Sequence, residues 1–172
     1  MLVQNFHTSS NSGGCHPFGP PPAQNRTFNI QVRIRYRYPQ THFVSLGIPT
    51  WLYGHEPATP LATHIAKFFD NSIREDTILS ITRGGLIYTP GSAGTVQEIF
   101  QAAVPNHYQT HGYASLMVFL GVDFWRREMP VYELLEYLVK EGKYEGLRLS
   151  VTDSIEEVVG TVKNFKPVRS QR

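Results

Sequence analysis

The chain reads as an α/β protein, a parallel sheet with helices on both faces. Three observations lead there. Short apolar runs alternate with stretches of helical spacing from Phe43 to Phe165, the pattern of strands joined by crossover helices. Leu116 to Leu120 is an unbroken apolar run, as expected of a strand covered on both faces. A glycine-rich turn, Pro90 to Thr95, separates the apolar run Leu86-Ile87-Tyr88 from the helical spacing of Val96, Ile99, Phe100 and Ala103.

Taken in order, Phe43 to Ile48 predicts a strand ending at Pro49. Pro60 to Phe69 has helical spacing at Leu61, Ile65 and Phe68 or Phe69, with Pro57 or Pro60 suited to a first turn. Ile73 to Ile81 continues as a second helix, and Leu86 to Thr89 is a strand leading into the turn. Thr95 to Val104 predicts a helix stopped near Pro105, followed by a polar and aromatic loop, Asn106 to Tyr113. Pro130 to Val139 places Val131, Leu134, Leu135 and Leu138 on one side of a helix that ends near Gly142. Leu147 to Val151 is a strand. Ser154 to Phe165 is a final helix, with Ser154 and Glu157 spaced as a capping box.

The 172 residues suit one domain with a sizeable core. No apolar run approaches a membrane span, and no ordinary signal peptide opens the chain. Cys15 is the only cysteine, which excludes an intramolecular disulfide and a Cys-rich zinc site. A cytoplasmic location is the resulting expectation. The net charge of +2 is too small to argue for nucleic acid as a partner.

Charge is unevenly placed. No Asp or Glu precedes Glu56, while Arg26, Arg33, Arg35 and Arg37 stand unbalanced among Pro17, Pro20, Pro21, Pro22 and Pro39. Residues 1–40 are therefore expected to be an irregular Pro/Arg-rich arm, 41–165 the folded domain and 166–172 a basic, frayed tail. Within the arm, Asn29 to Tyr38 can form one strand, with Ile30, Val32, Ile34 and Tyr36 on one face and the arginines on the other. The arginine row is either a solvated face or a phosphate- or RNA-binding patch.

The turn at residues 90–95 has two readings. A strand, a glycine-rich turn and a helix start leave free N–H groups aimed at whatever lies over the turn, and the helix dipole favours an anion there. Glu98 then sits one turn further in. On the structural alternative, Thr95 and Glu98 have capping-box spacing and merely start the helix. The string is neither a Walker loop, since no Lys-Ser or Lys-Thr follows, nor a GxGxxG dinucleotide fingerprint.

PGSAGTVQE, residues 90–98, resembles the PGGxGTxxE motif of the LOG-type family, the nucleoside 5′-monophosphate phosphoribohydrolases long labelled "lysine decarboxylase". SLGIPTWLYGHEPATPLATHIAKFFDNSIRED resembles the segment before that motif in a bacterial branch of the superfamily, and LMVFLGVDFW its closing strand. The likeness covers roughly residues 36–165. Ser92 departs from the motif by replacing its second glycine, which keeps an N–H but restricts φ. The resemblance implies a Rossmann-like fold and hydrolysis of an N-glycosidic bond to free base and ribose 5-phosphate. Full-length relatives begin with a strand and a Gly-rich loop that residues 1–40 do not match, so a sheet lacking its first strands is expected. A homodimer or larger assembly is implied as well.

On this resemblance, Pro90, Gly91, Ser92, Ala93, Gly94 and Thr95 hold the 5′-phosphate, Glu98 stabilises the positive sugar or orients water, and Arg74 clamps the substrate. For Arg74 the alternative is a surface pair with Asp70 or Asp76. Tyr53 and His55, in the ring-rich loop WLYGHEP, are further candidates for the nucleotide, with Trp51 able to stack on a base. The histidines lack metal-ligand spacing, and no lysine is marked as a pyridoxal phosphate anchor, so neither metal nor cofactor is expected.

Overall fold

The computed structural model describes residues 2–3, 44–51 and 62–167. The chain divides into two compact units, one of residues 1–8 and 75–172 and the other of residues 9–74.

The larger unit is α/β. Its parallel sheet comprises β1 (Leu2–Val3), β4 (Leu86–Tyr88), β5 (Leu116–Leu120) and β6 (Arg148–Thr152), side by side in that order. The helices are α1 (Asn71–Ile81), in which the division between units falls, α2 (Ala93–Tyr108), α3 (Val131–Lys140) and α4 (Ile155–Asn164). Register is set by Leu86 opposite Met117, Ile87 opposite Val118 and Tyr88 opposite Phe119. Leu2 and Val3, in the arm expected to be irregular, pair with Leu86 and Ile87. The rest of the arm, with Cys15 and the arginine row, lies outside the described residues, as do 168–172.

Strand side chains alternate between two cores, because successive Cβ atoms point to opposite faces. Leu86, Tyr88, Met117 and Phe119 face Ile99, Ala102 and Ala103 of α2 and Val131 and Leu135 of α3. Ile87, Leu116 and Val118 face Val158 of α4. Helices thus cover both faces, as the unbroken apolar run at 116–120 predicts. Phe119 is the hub of the first core. Its ring lies 5.1 Å from Tyr88, 5.4 Å from Trp125 and 5.2 Å from Tyr132, the last two edge-on. Trp125 is held in a π-helical turn, Phe124–Glu128, with its indole N–H donating to Leu120 O (3.1 Å). On α3 the inward positions are Val131, Tyr132 and Leu135, while Leu134 is exposed.

Two sequence expectations change. The helix after the turn does not stop near Pro105 but runs on to Tyr108, replacing the first part of the predicted loop. Proline removes one helical hydrogen bond, but the following turn is anchored from outside. Asn106 is buried, its side-chain amide donates to Ser115 O (3.2 Å), and its carbonyl oxygen accepts from Ser115 N (2.9 Å). Residues 62–69 are also not helical. In the smaller unit His64–Ile65 (β3) pairs in parallel with Leu46–Gly47 (β2), with a further bridge between Thr50 and Phe68. The Thr63 hydroxyl locks the start of that pair, accepting from Ser45 N (2.9 Å) and donating to Ser45 O (3.0 Å). Backbone pairing with a distant segment there outweighs a helical spacing too short to nucleate by itself. The helix after it starts where Asp70 caps it, accepting from Ser72 N at 2.8 Å.

No helix among the described residues is long and apolar enough to cross a membrane.

Candidate functional site

The carboxyl ends of β4, β5 and β6 bring three loops together, the place where open α/β sheets hold ligands. The turn after β4 touches the turn after β5. Gly121 has φ +108°, and a Cβ there would lie 3.3 Å from Pro90 Cγ. The turn after β6 is tied in by Asp153, whose Oδ1 accepts from Val122 N (2.8 Å). The sequence pointed to the turn after β4, and Asp153 joins it only through the sheet order.

Within the first loop, α2 starts at Ala93 with Ser92 as its N-cap in extended conformation (φ −120°, ψ −152°). Ser92 makes no side-chain cap, and no acidic residue stands in the first turn. Ala93, Gly94 and Thr95 are the first three helical residues, whose N–H groups have no acceptor inside the helix. Ser92, Ala93 and Gly94 are exposed. The turn therefore offers donors and the positive end of a 16-residue helix dipole to solvent. The capping-box alternative for Thr95 and Glu98 does not hold, because Thr95 is already inside the helix. Its side chain instead packs over Gly91, where a Cβ would sit 2.1 Å from Thr95 Oγ1 and 2.8 Å from Thr95 Cβ. Glycine at 91 is a packing requirement. A Cβ at Gly94 would meet nothing within 4 Å among the described residues.

Glu98 is half-buried on the next turn of α2. With Glu75 and Tyr88 it lines a cavity of about 10 Å³. Glu75 is buried, and one of its oxygens accepts from the Gln97 side chain at 2.8 Å. Gln101, one turn along α2, donates in the same way to Asp76 (2.6 Å), so two glutamines at i and i+4 grip two adjacent acids of α1. Tyr88 is 1% exposed, and its hydroxyl has no hydrogen-bond partner among the described residues. Burial, and after it the charge of Glu98, hold the phenol well above its ordinary pKa near 10.0.

Sequence reasoning missed Glu75 and Tyr88. The signal for Tyr88 is a single hydroxyl in the otherwise apolar strand Leu86–Tyr88. For Glu75 it is the spacing to Ile78, which puts a carboxylate on the helix face that is buried.

Arg74 belongs to the smaller unit. There its Nε donates to Asn71 Oδ1 (2.8 Å) and its Nη1 to Ile48 O (3.3 Å). Trp51 stacks on Phe69 with ring centroids 5.9 Å apart, and Lys67 Nζ lies 3.8 Å over the indole. Tyr53 and His55 lie outside the described residues. Beyond the site, His107 is structural, its Nδ1 accepting from Glu145 N at 2.8 Å. Among the described residues no three His, Cys, Asp or Glu side chains gather as a metal site would require.

No protein-family model matches the chain, and no curated protein matches it significantly.

Proposed function

We propose that the chain hydrolyses the N-glycosidic bond of a nucleoside 5′-monophosphate, as its resemblance to the LOG-type family implies. The observation that carries this reading is the turn Gly91–Thr95. It presents the uncapped, acid-free start of α2 at the carboxyl edge of the sheet, with Glu98 one turn further in. The 5′-phosphate accepts hydrogen bonds from the N–H groups of Ala93, Gly94 and Thr95, with the Ser92 hydroxyl beside it. Pro90 and Gly91 fix the turn.

In the reaction the bond from C1′ to the base nitrogen breaks as the water oxygen bonds to C1′. The sugar passes through an oxocarbenium-like state, and the base leaves with a proton. Glu98 stabilises that positive charge or orients the water. The resemblance gives Arg74 the role of clamping the substrate. The resemblance further implies a homodimer or larger assembly.

The test is a product assay on the full chain with AMP and with adenosine, in the wild type and Glu98→Gln. The expected result is free base and ribose 5-phosphate from AMP alone, with turnover in Glu98→Gln lower by orders of magnitude and binding less affected. Full turnover in that variant removes Glu98 from the chemistry. Calorimetric binding of AMP with no ribose 5-phosphate makes the chain a nucleotide-binding module instead.

A further inference from the structure

The Tyr88 hydroxyl is the best-defined polar group in the first core that no contact accounts for. The ring packs against Phe119 at 5.1 Å and would pack equally well as phenylalanine. The hydroxyl adds a buried donor without a partner, which costs free energy unless something completes it. Tyr88 lines a cavity together with Glu75 and Glu98 and with the apolar Ile78, Leu79 and Leu86. A buried water needs room for about one water-sized sphere and two to four polar partners. A cavity of about 10 Å³ has room for one water, and Tyr88, Glu75 and Glu98 are the polar residues of its wall.

We propose that this cavity is a single-water site, in which the Tyr88 hydroxyl donates to a water that donates in turn to Glu98 and Glu75, making Tyr88 a positioning residue for Glu98. The inference rests on the reading of Glu98 as the group that acts on the sugar. The bonding is complete: the water accepts one hydrogen bond and gives two, and the otherwise unpaired phenol is satisfied. Glu75 is held in place by Gln97, so the far wall of the site is fixed before substrate arrives. The phenol stays neutral well above neutral pH, so it remains a donor wherever the enzyme works. The carboxylate of Glu98 is thereby oriented from behind, through a bridge that a water makes nearly as well as a direct contact.

The experiment uses the full chain in two arms. A high-resolution crystal structure of the wild type should show one ordered water within hydrogen-bond distance of Tyr88 Oη and of a Glu98 carboxylate oxygen. Tyr88→Phe should lack it. In the product assay Tyr88→Phe should lose about tenfold in kcat, the rate equivalent of roughly one hydrogen bond, with KM kept within about twofold. A merely structural role would not separate the two constants in this way. A dry wild-type cavity, or unchanged kcat in Tyr88→Phe, overturns the inference while leaving the proposed reaction intact. Full turnover in Glu98→Gln overturns the reaction and the positioning role together. Should Tyr88→Phe not fold, the wild-type water alone decides.

Discussion

Gly91 and Thr95 share a space with no room for a β-carbon: one built on Gly91 would lie 2.1 Å from the Thr95 hydroxyl oxygen. The threonine side chain closes over the turn from the first helical turn of α2, and the glycine yields to it. This contact sets how the chain passes from β4 into the helix start, and so where the free N–H groups of the turn point.

Gly91→Ala should therefore destabilise the protein by about 1–3 kcal/mol, the cost of overpacking a filled site. Gly94→Ala meets no neighbour within 4 Å among the described residues and should be neutral or stabilising by up to about 1 kcal/mol, since alanine is the better helix former. Chemical denaturation of the two variants checks this. A phosphate seated over the turn adds a second readout, in which Gly94→Ala weakens AMP binding without weakening the fold. Equal loss of stability in both variants would contradict the packing assigned to Gly91.

Above pH about 10 an unfolded Tyr88 ionises, whereas the buried phenol, raised first by burial and then by Glu98, stays neutral. The unfolded state then binds fewer protons than the folded one. Stability from this group is complete below pH about 10 and falls as pH rises beyond it, by up to about 1.4 kcal/mol per pH unit. Tyr132 is shifted in the same direction, by burial and then by Glu136, so the measurement is the difference between wild type and Tyr88→Phe. That difference should shrink the variant's alkaline loss. Parallel curves above pH 10 would mean that Tyr88 ionises freely in the fold.

Asn106 satisfies both the N–H and the C=O of Ser115. Asn106→Ala should leave both groups buried and unpaired, at a cost of about 2–4 kcal/mol. It should also fray the last turn of α2 beyond Pro105. Hydrogen exchange at the amides of residues 106–110 would report the fraying, and unchanged protection there would show that the helix continues through Pro105 without this anchor.

Ser154 caps α4 by accepting from Glu157 N at 3.2 Å. Ser154→Ala should cost about 1 kcal/mol, and Ser154→Asp should restore most of it. Thermal melts of the two variants test the pair, and a Ser154→Asp variant no better than Ser154→Ala would argue against the cap. The Glu157 carboxylate does not complete a box on Ser154. It accepts instead from the Thr152 hydroxyl, whose oxygen accepts from Ser154 N at 3.0 Å.

What the sequence by itself determined is the local and periodic part. Leu86–Tyr88, Leu116–Leu120 and Arg148–Thr152 emerge as strands, and Val131–Lys140 and Ile155–Asn164 as helices, within one or two residues of their predicted limits. Period and capping are properties of neighbouring residues, so they are readable without a partner. The strand, turn and helix around Pro90–Thr95 were legible for the same reason. Only tertiary structure decided the rest. The Asn106–Ser115 exchange carries α2 past Pro105, and pairing with Leu46–Gly47 makes His64–Ile65 a strand within a helical spacing. The start of α2 at Ala93 sets aside the capping box that the spacing of Thr95 and Glu98 suggests. Glu75, Tyr88 and Glu98 line one cavity because α1, β4 and α2 come together there. Whether a polar group is buried, and what then satisfies it, depends on chain segments far away in sequence, and no local pattern encodes that.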